Sequence, residues 1–114
     1  MTTTAPDLLI SAADAIADRA QLRDQPNGER SMAHAVAAFN ALFDAQLSEQ
    51  QGWQFMVLLK LARSSGGRIH LDDYTDAAAY AALAGECATR HAATEVMNLR
   101  AVHPVAHSKP YAPT

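Results

Sequence analysis

The sequence predicts an all-α protein, a compact bundle of about four helices with a flexible N-terminal arm and a Pro-rich C-terminal tail. Three observations carry that expectation. Large apolar residues recur at steps of three and four, the period of a helix with one buried face. Turn-forming chemistry falls between those runs, at "RDQPNGER" and "SSGG". Finally, 49% of the 114 residues are hydrophobic but only 6% are aromatic, and much of the remainder is alanine. That is the composition of thin helices packed closely around a few large side chains.

The elements follow in chain order. Residues 1–6 read as a loose arm ending at Pro6, and residues 7–100 as a single helical domain. A first helix is expected over about 7–21, capped by Asp7 or Thr4, with Leu8, Leu9, Ala12, Ile16 and Ala20 near one stripe. The Pro-Asn-Gly of "RDQPNGER" then makes a solvent-facing connector. Ser31 suits the N-cap of a second helix over about 31–46, in which Met32, Val36, Phe39 and Phe43 share a buried face that Leu42 widens. Ser48 and Gln51 have capping-box spacing, with Glu49 in the first turn where the helix dipole favours it. They open a third helix, 49–64, whose Trp53, Phe55, Met56, Val57, Leu58, Leu59 and Leu61 make it apolar nearly all round, as expected of a central helix. Gly66 and Gly67 stop it. Asp72 or Asp73 is expected to cap a fourth helix running to about residue 93 or somewhat beyond. Its small residues Ala77, Ala78, Ala81, Ala82 and Gly85 would let another helix approach closely, with Tyr80, Leu83 and Cys87 on an adjoining face. The tail, 101–114, holds three of the five prolines and reads as extended or disordered.

Composition excludes several function classes. A net charge of −3 lacks the basic stripe that non-specific nucleic-acid binding needs. No run of about eighteen apolar residues predicts a membrane span, and "MTTTAPDLLI" lacks the pattern of a secretory signal. One cysteine, Cys87, rules out an internal disulfide and a Cys-rich zinc site and suits a reducing cytoplasm. Cys87 reads as a small core residue. The histidines, His34, His70, His91, His103 and His107, show no metal-binding spacing. Few large core residues in an alanine-rich chain make a homodimer the expected assembly.

One constellation could carry chemistry. Asp73, Asp76 and Tyr80 stand at i, i+3 and i+7, on one helical face. If the third and fourth helices are antiparallel neighbours, Lys60, Arg63, Arg68 and His70 gather beside those carboxylates. Lys60, Arg63, His70, Asp73, Asp76 and Tyr80 then form a candidate ligand- or partner-binding site. Under an alternative reading, Asp73 and Asp76 hold Mg²⁺, which takes oxygen ligands and keeps several waters. The same residues also have a purely structural explanation, two correctly charged helix ends joined by a salt bridge. Asp76, one turn in from the helix start, is the residue that capping explains least.

The runs "GERSMAHAVAAFNAL", "LSEQQGWQFMVLLKLARSSGG" and "LDDYTDAAAYAALAGE" resemble a family of small phage and prophage proteins of undefined function over about residues 28–87. That resemblance implies a cytoplasmic protein made during infection or from a prophage, and it brings no established activity. A more distant similarity is to the MazG-type all-α nucleotide pyrophosphohydrolases, which bind Mg²⁺ and a triphosphate between two acidic helical motifs. Asp73 and Asp76 stand where one such motif would be. The second has no counterpart, since the third helix offers only Glu49 and the second helix has no carboxylate before Asp44. The function expected is therefore a non-enzymatic phage or prophage accessory protein with no cofactor. It binds a host protein or a nucleotide-like signal and so inhibits a host defence such as CRISPR or nucleotide signalling. The alternatives are a Mg²⁺-dependent nucleotide pyrophosphohydrolase, or a degenerate nucleotide-binding relative of one, and a structural helical oligomerisation module.

Overall fold

The computed structural model describes residues 2–23 and 31–102, which form four helices: α1 (Ala5–Arg23), α2 (Ser31–Phe43), α3 (Glu49–Ser64) and α4 (Leu71–Val102). The all-α expectation holds, and no strand occurs among the described residues. The 24–30 connector and tail residues 103–114 lie outside them.

The helix starts follow local chemistry. At α1, the Thr4 N–H donates to Asp7 Oδ2 and the Asp7 N–H donates to Thr4 Oγ1, both at 3.3 Å. This reciprocal cap starts the helix at Ala5, so Ala5 and Pro6 belong to the helix rather than to a loose arm. Proline is tolerated in a first turn because the N–H it lacks would be unpaired there anyway. At α3, the capping box forms as its spacing predicts, with the Gln51 N–H donating to Ser48 Oγ at 3.1 Å and the Ser48 N–H to Gln51 Oε1 at 2.9 Å.

Several boundaries move. Helix α2 is described from Ser31. That helix ends at Phe43, not near 46, because Asp44 takes the left-handed conformation (φ 52°) and the Ala45 N–H donates back to the Asn40 carbonyl at 3.1 Å. The Asn40 side chain then closes the α2–α3 turn, donating to the Leu47 carbonyl and accepting from the Leu47 N–H, each at 2.9 Å. Helix α4 begins at Leu71, which places Asp72 and Asp73 inside its first turn instead of at the cap, and it continues to Val102. The tail expected from residue 101 therefore starts no earlier than 103.

The helices lie side by side in the order α1, α4, α3, α2. The largest interface is between α3 and α4, which run antiparallel, α1 packs on α4, and α2 packs on α3. The core sits in the α3–α4 seam, where Trp53, Ala84 and Cys87 are buried and Met32, Tyr80 and Leu83 pack around them. Trp53 stacks on Tyr80 with ring centroids 5.7 Å apart. At α2, Gly52 allows the close approach: a Cβ there would stand 2.5 Å from Met32 Sδ and 2.8 Å from Val36 Cγ2.

Three packing expectations are corrected. The buried residues of α4 are Asp73, Ala77, Ala79, Ala84 and Cys87, with Tyr80 partly buried on the same stripe, whereas Ala81, Ala82 and Gly85 are exposed. Of the predicted buried face of α2, only Val36 is buried, and Phe43 and Leu42 are 65% and 75% exposed. Helix α3 is central in the row, but its apolar girdle is not enclosed: Phe55 and Leu58 are each 64% exposed. A helix apolar all round is normally covered all round, and here one side of α3 is left open.

Candidate functional site

The antiparallel α3–α4 pairing brings the end of α3 to the start of α4 and assembles most of the predicted constellation. Lys60 Nζ lies 2.9 Å from Asp76 Oδ2, with both side chains largely shielded from solvent. Arg63 Nε stands 3.8 Å from Asp73 Oδ1, and Asp73 is buried. Tyr80 sits one turn beyond Asp76, against Trp53. His70 does not join: its side chain is exposed, and the residue contributes its backbone carbonyl, which accepts the Asp73 N–H at 3.0 Å. Arg68 is likewise exposed.

Arg19 is the member that sequence reading missed. It reaches from α1 to within 3.9 Å of Asp76 Oδ1, and its guanidinium carbon lies 5.8 Å from the centre of the Tyr80 ring. That second contact is at cation–π range. Nothing in the spacing could have found it, because the contact spans the connector and depends on how α1 lies along α4. The other end of the seam carries a matching link that was also unforeseen. Arg90 Nη2 is 3.1 Å from Glu49 Oε2, and the same oxygen accepts from Trp53 Nε1 at 3.4 Å. Beside it, burial pushes the Cys87 thiol above its ordinary pKa, reinforced by the nearby Glu49 carboxylate.

Both carboxylates are thus already answered by cations: Asp76 by Lys60 and, at longer range, Arg19, and Asp73 by Arg63. A divalent ion shared by Asp73 and Asp76 would compete with Lys60 and Arg63 for those carboxylates. No group of three His, Cys, Asp or Glu side chains comes together among the described residues. The cavity beside the cluster, lined by Arg19, Met32, Trp53, Met56 and Tyr80, holds about 170 Å³. Pockets for small molecules run to about 300–1,000 Å³, so this cavity is smaller than that range. A larger groove of about 530 Å³ between α3 and α4, lined by Gln50, Gln54, Val57, Leu58, Ala81, Ala84 and Gly85, has no charged side chain for a phosphate.

What the clasp holds in place is the α3–α4 tip. Between the two ion pairs the chain turns through Gly67 (φ 70°), a left-handed position that glycine takes without strain. The tip exposes Ile69 (81%), Leu71 and Tyr74 beside Arg63, Arg68 and His70. No helix among the described residues is long and apolar enough to cross a membrane. Comparison with known proteins identifies residues 7–88 as a DUF6378 domain, a domain of unknown function. No curated protein and no solved structure matches the chain.

Proposed function

We propose that this chain, which belongs to the DUF6378 family of domains of unknown function, is a non-enzymatic binding protein whose α3–α4 tip engages a host protein. The observation that carries the reading is the tip itself. Two large aliphatic side chains, Ile69 and Leu71, stand in solvent at the tip with Arg63, Arg68 and His70, where two ion pairs join the end of α3 to the start of α4. Apolar anchors flanked by cations suit an acidic partner with an apolar centre, and a pre-held turn lowers the ordering cost of binding. The resemblance to phage and prophage proteins supplies the setting: an accessory factor in the host cytoplasm acting against a host defence. Under this reading Lys60, Asp73, Asp76 and Tyr80 position the epitope, while Arg63 and His70 touch the partner.

Affinity capture from host extract tests the reading. A host protein retained by the wild type, and lost with Ile69→Asp and with Arg68→Glu, is the expected result. Equal recovery by all three proteins would sink it. The Mg²⁺-dependent pyrophosphohydrolase alternative is tested separately, by pyrophosphate release from a panel of nucleoside triphosphates with Mg²⁺. The nucleotide-signal version predicts a thermal shift that Asp76→Ala abolishes. Against both stands the pairing of Asp73 and Asp76 with cations.

A further inference from the structure

A second surface stands apart from the tip. Helix α2, "SMAHAVAAFNALF", carries no Asp, Glu, Lys or Arg, and neither does "QQGWQFMVLL", residues 50–59 of α3. Every charged side chain of α3 is turned to α4: Glu49 pairs with Arg90, Lys60 with Asp76 and Arg63 with Asp73. The side left open is apolar. Phe39 and Phe43 contact each other with ring centroids 4.9 Å apart. A groove of about 300 Å³ then runs from Phe39 past Leu47 to Phe55, floored by Val36, Gly52 and Met56.

We propose that a second copy of this chain covers this face, giving a two-fold homodimer built on α2 and α3. Two arguments select a second copy over another occupant. The first is area. Phe39, Leu42, Phe43 and Phe55 are 43, 75, 65 and 64% exposed. At about 200 Å² for a large side chain they alone offer roughly 500 Å² of apolar surface. A stable interface takes about 800 Å² from each partner, and the exposed alanines of α2 extend the patch toward that size. The second is charge. In a two-fold interface a patch meets its own copy, so any charge at its centre meets its own sign. A face without formal charges avoids that cost, and it offers a charged partner no ionic contact. This inference is independent of the proposed function, since the tip lies at the far end of α3.

Light scattering over a range of concentrations provides the test. The full chain is expected at twice the mass of one chain, dissociating on dilution. Phe43→Glu and Leu42→Glu are each expected to raise the dissociation constant by about thirtyfold or more, as truncating a central anchor does. Both should keep the far-UV helical signal, because both side chains are mostly in solvent in one chain alone. Ile69→Asp should remain dimeric. A chain that stays monomeric at every concentration overturns the inference, whatever else it binds. So does a dimer that both glutamate variants leave intact, since that dimer would use another face.

Discussion

At the scale of single residues, Asp76 shows how one carboxylate comes to be held. It bonds Lys60 at 2.9 Å and faces Arg19 at 3.9 Å, with its side chain 20% exposed. A pair at that depth lies between an exposed one, worth ~0–1 kcal/mol, and a buried one, whose breaking costs ~3–5 kcal/mol. Asp76→Asn and Lys60→Met should each lose about 1–2 kcal/mol in chemical denaturation. The double variant should lose about as much as either one, because the two residues share a single interaction. Cys87 gives the pH counterpart. Its thiol pKa is raised in the folded chain, first by burial and then by Glu49. The unfolded chain therefore gives up this proton first, and the folded state binds more protons at alkaline pH. The stability that this group contributes is complete below the ordinary thiol pKa of about 8.5 and is lost as pH rises through the folded value. Denaturation midpoints of wild type and Cys87→Ala, followed upward from neutral pH, should show the steeper decline in the wild type. Lys60, Arg63, Asp73 and Asp76 could be placed in one cluster from sequence because short-range spacing and one antiparallel turn suffice. Arg19 could not, because its position depends on a packing between helices far apart in the chain.

At the scale of elements, legibility follows how local the cause is. The α3 start was readable because Ser48 and Gln51 act within one turn. The end of α2 was not, because Asp44 turns left-handed without glycine or proline to announce it. The α4 stripe was misplaced because alanine lies on nearly every face of that helix, so composition cannot say which row is buried. The α2–α3 contact rests on Gly52. In Gly52→Ala a new methyl meets Met32, which can move, and Val36, whose branched side chain cannot move far. Overpacking costs ~1–3 kcal/mol, while alanine in place of glycine returns ~1 kcal/mol of helix propensity. A net loss of about 1 kcal/mol is expected in thermal or chemical unfolding. Under the dimer inference, the displaced α2 also weakens self-association.

At the scale of the molecule, the row α1–α4–α3–α2 concentrates stability in its middle. The seam from Asp73 to Cys87 holds the buried residues of α4 and the partners of Lys60 and Arg63. Beyond Arg90, whose link to Glu49 closes the seam, most described side chains of α4 are exposed. Amide hydrogen exchange should therefore be slowest between Asp73 and Cys87 and much faster after Arg90, with protection falling toward Val102. Uniform protection along α4 would mean that something else packs on its second half.

The stacking of Trp53 on Tyr80 has a spectroscopic consequence. Trp53 is the chain's single tryptophan, it is 5% exposed, and its indole N–H points to the carboxylate that Arg90 also holds. The fluorophore thus sits inside the α3–α4 seam, with Met32 of α2 packed against the same core. Its emission should be that of a shielded indole and should shift to the red when that core opens. A partner docking at Ile69, or a second copy covering Phe43, would leave that colour unchanged. The protein carries its own optical gauge of whether binding opens the seam or merely uses it as a rigid mount.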